Sequence, residues 1–243
     1  MKIVLKTEND DFNIEKDSKV IDVYNKLDIL WGNYHPYVEI GGLKWATMNV
    51  GATAVTDTGL YFQWGDTQGY TNSEVGTGYI DDNYNKQKYF GWIDYKYGNG
   101  TDSPGDTGMT KYNSTDGKTV LDASDDAAQA NWGGGWRMPT TAEYAALGAA
   151  VNSAWTSSYQ GSGVKGLVLT DKTDSSKVLF FPAAGRCYNG KVNFVGSYGY
   201  YWSSSVYGSN LQSAYNLNFN GSDINWQYDN GRCSGFPVRG VKN

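Results

Sequence analysis

The side chains in this chain with the greatest chemical reactivity are two cysteines, Cys187 and Cys233, and a single histidine, His35. Two cysteines are too few for a disulfide framework or, by themselves, for a structural zinc site. One histidine rules out a histidine-rich metal site, and a Ser-His-Asp triad would depend on His35, within a Tyr-His-Pro-Tyr segment. A role in a turn or in packing is the simpler interpretation of His35. The sequence therefore predicts a protein that is not an enzyme.

Three aspartates, Asp122, Asp125 and Asp126, could supply oxygen ligands to Ca²⁺. Because they precede an alanine-rich stretch, a charged helix start is the favoured interpretation. No glycine-rich phosphate-binding pattern stands between a strand and a helix, since Gly133-Gly-Gly135 is followed by Trp136. The sequence thus predicts no cofactor.

The carboxyl-terminal stretch, about residues 203–235, has the composition of a recognition surface. Tyrosine and tryptophan provide large rigid contact areas, and serine, asparagine and glycine provide adaptable hydrogen bonds. Trp226, Tyr228 and Arg232 fall within seven residues, and these three residue types dominate interface hot spots. The alternative is an ordinary polar turn region with a few exposed aromatic residues. The candidate ligand-binding residues are Tyr207, Ser209, Asn210, Tyr215, Asn216, Asn218, Asp223, Asn225, Trp226, Tyr228, Asp229, Arg232 and Ser234.

The candidate residues divide into two predicted roles, and several aromatic neighbours are assigned to the scaffold. Alternation in Tyr215–Asn220 predicts a half-buried strand with one face in water. The predicted anchors are Tyr207, Tyr215, Trp226, Tyr228 and Arg232. The predicted adaptable contacts are Asn216, Asn218, Asp223, Asn225 and Asp229. The predicted scaffold residues are Tyr200, Trp202, Phe219 and Phe236.

Charge and hydropathy limit the partners. A net charge of −5 and a pI of about 4.9 disfavour binding to nucleic acid, which requires clustered lysine and arginine. The longest apolar runs, such as Val178–Ala184, are far shorter than the ~20 residues of a membrane helix, so no membrane insertion is expected. Met1–Lys6 turns polar at once, so no signal peptide is visible. Either the protein reaches its location without such a signal or the signal has been removed.

The chain of 243 residues divides into an N-terminal segment, residues 1–36, and a main domain, residues 37–243. Ser18 is expected to cap a helix over about residues 19–31. The apolar stripe of this helix either packs on the main domain, which is favoured, or serves attachment and homo-oligomerisation. The stripe consists of Val20, Val23, Tyr24, Leu27, Leu30 and Trp31.

In the main domain, 31 glycines, 20 tyrosines and 9 tryptophans beside only 5 prolines predict short strands and long ordered loops. Gly41-Gly42 between two alternating runs predicts a hairpin over residues 37–45. Thr140 and Glu143 have the spacing of a capping box at the start of a helix over residues 140–151. A short helix or turn is expected near residues 122–130. Further strands are predicted at residues 164–170, 178–181 and 236–241.

Several of these blocks together resemble the C-type lectin-like fold of formylglycine-generating enzymes, in its bacterial and phage branch. The strongest is Gly135–Ala146, which is similar to the motif that opens the long helix of that fold. The resemblance covers roughly residues 37–243. The other blocks are Asn49–Gly51, Tyr61–Asp66, Tyr201–Ser205 and Gly235–Val241.

The resemblance implies an α+β, C-type lectin-like domain with two helices, short antiparallel sheets and long loops. The branch includes the variable proteins of diversity-generating retroelements, in which mutation at adenines scatters asparagine-type codons over a limited set of residues. The candidate residues largely match that set, although Trp226 does not. The implied role is non-catalytic binding of an unknown protein or surface glycan, at a phage tail or on a bacterial surface.

Two alternatives belong to the same fold. The first is a non-diversified domain with a structural or cell-surface role. The second is an oxidase of the formylglycine-generating type, which would use Cys187 and Cys233 to hold copper. The sequences around both cysteines do not resemble that active site. The calcium-binding motifs of sugar-binding C-type lectins are also missing from the sequence.

Overall fold

The computed structural model describes residues 6–7, 10–11, 35–78 and 87–243. The chain forms two compact units, Met1–His35 and Pro36–Asn243. In the first unit, strand β1 (Lys6–Thr7) pairs antiparallel with strand β2 (Asp10–Asp11). The helix predicted over residues 19–31, whose stripe could serve attachment, lies outside the described residues.

The described part of the second unit is a mixed α+β structure with two α-helices and four small antiparallel sheets. The first sheet contains the predicted hairpin, β3 (Tyr37–Ile40) and β4 (Leu43–Asn49). Both turn residues have positive φ, 62° at Gly41 and 81° at Gly42, as hairpin turns of two residues require. Residues Arg239–Lys242, close to the end of the chain, pair antiparallel with the other edge of β4.

Both helices begin at a polar cap. Helix α1 (Ala127–Trp132) is capped by Asp126, whose Oδ1 accepts a hydrogen bond of 2.9 Å from the amide of Gln129. The helix lies later than the predicted 122–130 because Ala123–Asp125 forms a 3-10 turn instead. Helix α2 (Thr141–Ala150) has the predicted capping box between Thr140 and Glu143.

A second sheet follows α2 and consists of three strands. They are β5 (Val151–Thr156), β6 (Gly166–Asp171) and β7 (Val178–Pro182). Strands β6 and β7 confirm the predicted pair, but β5 was not predicted. Val151 ends the helical pattern and is buried, so the sequence does not separate the last turn of α2 from the start of β5.

The remaining strands carry the carboxyl-terminal half of the fold. Strands β8 (Arg186–Tyr188) and β9 (Lys191–Asn193) form a short hairpin. Strands β10 (Tyr198–Val206), β11 (Ser213–Asn220) and β12 (Ile224–Gly231) form a sheet in that order. Strand β13 (Arg239–Lys242) then returns to β4.

Aromatic residues from this sheet build the core on both of its sides. Trp202 stacks on Phe236 with ring centroids 4.0 Å apart, and its Nε1 donates to the carbonyl of Phe62 at 2.9 Å. Phe219 lies on the other side, in a cluster with Tyr201 and the residues of α2. All four residues assigned to the scaffold from the sequence, Tyr200, Trp202, Phe219 and Phe236, are buried. None of the described helices is both long and apolar enough to cross a membrane.

Candidate ligand-binding surface

The register of the β10-β11-β12 sheet sorts its side chains onto two faces. Asn216 lies between Trp202 and Tyr228, and Asn218 lies between Tyr200 and Asn225. Because side chains alternate along a strand, these residues share one face, while Leu217 and Phe219 face the core cluster that contains α2. We call the first of these the asparagine face. It consists of Tyr198, Tyr200, Asn216, Asn218, Asn220, Asn225, Tyr228 and Asn230.

The asparagine face is only partly in water. Asn216 is fully buried, whereas Asn218 and Asn220 are half-buried. The prediction of one wet face over residues 215–220 is therefore wrong for Asn216. Its Nδ2 donates to the carbonyl of Tyr228 at 3.2 Å, and the Nδ2 of Asn218 donates to the carbonyl of Gly199 at 3.3 Å. Both side-chain amides therefore bond to a neighbouring strand of the sheet. Asn216 lies between the rings of Trp202 and Tyr228, which cover its end of the face.

Arg186, which is not among the candidate residues predicted from the sequence, lies beside Tyr200 on the asparagine face. We call the part of this face that is not buried its open end. The guanidinium of Arg186 lies 5.4 Å from the ring centroid of Tyr200, 5.5 Å from that of Phe194 and 5.7 Å from that of Tyr188. Its Nη1 reaches the Oδ1 of Asn230 at 3.5 Å. We call Arg186, Tyr188, Phe194, Tyr200 and Tyr228 the aromatic platform.

Three rings of the aromatic platform are exposed, whereas its fourth ring, Tyr200, is buried and belongs to the core. Tyr188 is 37% exposed, Tyr228 45%, Phe194 47% and the adjacent Val195 51%. These are four of the seven large apolar or aromatic side chains that are exposed among the described residues. An exposed cluster of this kind, rimmed by polar groups, indicates an interaction site.

Local backbone conformations position two rings of the platform. Tyr188 is positioned by the β8–β9 hairpin, whose Asn189-Gly190 turn has the positive φ values of 48° and 69°. Asn-Gly between alternating residues is the strongest short-range hairpin signal in a sequence, so this turn was recognisable and was missed. Phe194 has a φ of 65°, which is a strained backbone conformation for a bulky residue. Strained conformations of this kind are concentrated at functional sites.

Two of the predicted anchors lie on the opposite side of the sheet from Tyr228. Tyr215 faces the same side as Leu217, and its ring meets that of Tyr207 edge-on at 5.1 Å. Trp226 is half-buried against α2, where a Cβ on Gly148 would lie 2.5 Å from its indole ring. The prediction that the anchors form one surface is therefore wrong for Tyr215 and Trp226, because alternation along β11 and β12 points them away from the face of Tyr228. It is also wrong for Tyr207, which packs on Tyr215.

Other predicted contacts lie in turns and at the sheet edge. Ser209 and Asn210 are exposed in the turn between β10 and β11, and Asp223 is exposed in the turn between β11 and β12. Asn225 is exposed on the asparagine face. Asp229 is half-buried opposite Tyr215.

Two predicted contacts belong to the interior. Arg232 is fully buried, and its Nη1 and Nη2 donate to the carbonyls of Lys111 at 3.1 Å and Tyr112 at 2.6 Å. Its guanidinium lies 4.8 Å from the ring centroid of Trp64. Ser234 is 3% exposed. The expectation that Arg232 and Ser234 point into water is wrong, because the loop that carries Lys111 and Tyr112 covers the end of β12.

The two cysteines are free and buried in separate apolar clusters. Burial raises the pKa of Cys233 to about 12 and also raises the pKa of Cys187. Only the thiolate binds metal or attacks as a nucleophile. The environment of the thiols thus gives the copper-oxidase alternative no support.

The three aspartates of the possible calcium site bind different partners. Asp122 pairs with Lys111 at 2.7 Å and with Lys118 at 2.6 Å. Asp125 pairs with Lys111, and Asp126 caps α1. Among the described residues, no group of three or more His, Cys, Asp or Glu side chains is placed to hold a metal ion. These contacts agree with the interpretation as a charged helix start.

Asp125 is expected to contribute to stability as an ionised group. Burial alone would raise the pKa of Asp125, but hydrogen bonds from Lys111, Tyr112 and Tyr97 outweigh it and hold that pKa well below its usual range. A carboxyl with a depressed folded-state pKa stabilises above its unfolded pKa of about 3.9 and loses that contribution as pH falls further. We expect Asp125→Asn to lower the free energy of unfolding at pH 7 by about 2 kcal/mol.

Urea unfolding at pH 7 and at pH 3 measures this effect. The difference between wild type and Asp125→Asn is expected to shrink at pH 3, whereas Asp223→Asn at an exposed turn should have almost no effect at either pH. A constant difference at both pH values would contradict the ionised role.

Comparison with known proteins gives one match. Residues 168–240 match the model of a domain of unknown function (DUF8237). No curated protein and no solved structure matches the chain. The matched segment contains β8 to β12, and therefore Arg186 and the whole asparagine face.

Proposed function

We propose that this chain is a non-catalytic recognition protein that binds a macromolecular ligand through the aromatic platform and the open end of the asparagine face. The observation that carries the proposal is the pair of exposed rings beside Arg186, Tyr188 and Phe194, with exposed Tyr228 on the asparagine face. Tyrosine and arginine in such a setting provide large contact area and several hydrogen-bond donors at low entropic cost.

The wider proposal is a C-type lectin-like domain related to the variable proteins of diversity-generating retroelements, at a phage tail or on a bacterial surface. Its support is the set of sequence blocks together with exposed Ser209, Asn210, Asp223 and Asn225. A near-copy of the last gene segment that differs only at adenines, beside a reverse transcriptase gene, is the expected genomic finding.

The alternative is a non-diversified domain of the same fold with a structural or cell-surface role. One observation favours it: Arg232, Ser234 and Asn216 are buried and bonded to the scaffold. Random replacement at such positions would destabilise the fold. Lack of an adenine-variable gene copy would decide for this alternative and leave the binding proposal unchanged.

The binding proposal predicts that Tyr188→Ala and Tyr228→Ala each weaken ligand capture at least about tenfold, equivalent to about 1.4 kcal/mol. Labelled protein is titrated against a panel of bacterial cells, and the strains that bind wild type are used for the variants. The reason for the loss is that each ring is exposed and contributes contact area without supporting the core.

Tyr37→Ala is the matched control, because Tyr37 is 38% exposed, against 37% for Tyr188, and lies in the β3-β4-β13 sheet. The control should bind as wild type does, and all three variants should melt close to the wild-type Tm. Unchanged capture by both platform variants would overturn the proposal, as would an equal loss with Tyr37→Ala.

A further inference from the structure

Arg186 is a cation without an anionic partner. Within the described part of the chain it forms no salt bridge, and its Nε has no hydrogen-bond partner. A guanidinium carries five N–H donors, yet the sole side-chain bond recorded for this one is the 3.5 Å contact with Asn230. The buried Nε is out of reach of a ligand, but the Nη groups of this half-buried side chain have donors left for an acceptor from outside the chain.

We propose that Arg186 binds the carboxylate of an acidic sugar, such as a hexuronic acid unit of a polysaccharide, with the sugar ring lying against the aromatic platform. This inference rests on the proposed function and names the ligand class of the same surface. In this arrangement Arg186 binds the negatively charged carboxylate, and the exposed rings support the flat face of the sugar.

The charge pattern favours a carboxylate. A guanidinium between aromatic rings keeps its planar edge available, and that edge matches a carboxylate with two parallel hydrogen bonds. Among the described residues, Arg232 and Arg239 also bond to uncharged acceptors, but both are buried, whereas Arg186 is half-buried beside exposed rings. The face carries Arg186 and, opposite Tyr188 across the β8–β9 hairpin, the exposed Lys191. Two cations fit an isolated anionic group and not a run of phosphates, which requires clustered basic residues.

The neighbouring groups favour a sugar over a peptide. Tyr188, Phe194 and Tyr228 are exposed rings, which offer flat apolar surfaces to the C–H face of a pyranose. The side-chain amide of Asn225 and the phenol of Tyr228 can both donate and accept, as sugar hydroxyls require. Three rings within 5.4–5.7 Å of one guanidinium make a small patch, whereas a protein interface buries about 800 Å² on each partner.

The test is titration calorimetry with galacturonate oligomers and with the same oligomers as methyl esters. Wild type is expected to bind the acid form at least tenfold more tightly, and added salt should weaken that binding. Arg186→Gln should reduce acid binding to the level of the ester, and Arg186→Lys should restore part of it. Lys165→Gln, at an exposed loop lysine, controls for the loss of one positive charge and should bind as wild type.

Equal binding of acid and ester, or full binding by Arg186→Gln, would overturn the inference. Failure to bind any sugar on an array of uronic and sialic acid glycans would do the same. Tighter binding of poly-glutamate than of uronate would assign the site to acidic peptides instead. If these sugars do not bind while Tyr188→Ala and Tyr228→Ala still weaken cell capture, the proposed function stands and only the acidic-sugar assignment falls.

Discussion

Replacing Arg239 with alanine is expected to lower the free energy of unfolding by about 4 kcal/mol, the largest single-residue effect that we expect for this chain. Arg239 is fully buried, and its three donor nitrogens bind Asn49 Oδ1 at 2.9 Å, the carbonyl of Ala46 at 2.9 Å and the carbonyl of Phe180 at 3.0 Å. The substitution removes all three bonds at once and leaves these acceptors buried without a partner.

The location of Arg239 makes the loss global. Strand β13 supplies the arginine, β4 supplies two of the acceptors and β7 supplies the third, so one side chain joins two sheets. The guanidinium also lies 4.3 Å from the ring centroid of Phe181. Burial lowers the pKa of Arg239 to about 10, since the charge is surrounded by carbonyl oxygens and no carboxylate.

Denaturant unfolding of the purified chain measures the effect. Arg239→Lys is expected to recover part of the stability, because one ammonium can bind some but not all of the acceptors. Lys165→Ala on the exposed loop should change the free energy of unfolding by no more than about 0.5 kcal/mol. An Arg239→Ala protein as stable as the Lys165→Ala control would show that the three bonds contribute no net stability.

Arg232→Ala is expected to lower the free energy of unfolding by about 3 kcal/mol while leaving ligand capture intact at temperatures where the protein stays folded. The buried guanidinium donates to the carbonyls of Lys111 and Tyr112 and lies against Trp64. Burial lowers the pKa of Arg232, as expected for a cation that is removed from water. The residue therefore acts on stability and not on the binding surface.

The comparison with Tyr228→Ala separates the two roles. Tyr228→Ala should lose capture and keep its Tm, whereas Arg232→Ala should lose several degrees of Tm and keep capture by the folded fraction. Thermal melting and cell binding at 10 °C, performed on the same preparations, measure both. If Arg232→Ala lost ligand capture while its Tm stayed unchanged, Arg232 would have to contact the ligand directly, and this would contradict its buried position.

Local signals in the sequence predicted local structure well. The Thr140–Glu143 spacing predicted the start of α2, and Gly41-Gly42 predicted the first hairpin, because a cap and a tight turn each depend on a few neighbouring residues. Apolar aromatic residues such as Trp202 and Phe236 were assigned to the core on their chemistry alone. The mixed α+β class, which the resemblance implied, is also confirmed.

The candidate site was predicted less well. Of the residues in the proposed surface, the sequence predicted Tyr228, but it missed Arg186 and placed Arg232 in water. Alternation shows that neighbouring residues of a strand point to opposite faces, yet it does not show which face another element will cover. Arg232 is covered by carbonyls about 120 positions away, and no spacing within the strand reports that contact.

The sequence by itself determined the capped helix, the glycine hairpin, the aromatic core and a composition suited to recognition, since these depend on residue type and short-range geometry. Tertiary structure alone decided which polar side chains reach water and which rings gather around Arg186. That decision depends on burial, because the contacts that cover Arg232 and leave the aromatic platform open come from segments far apart in the chain.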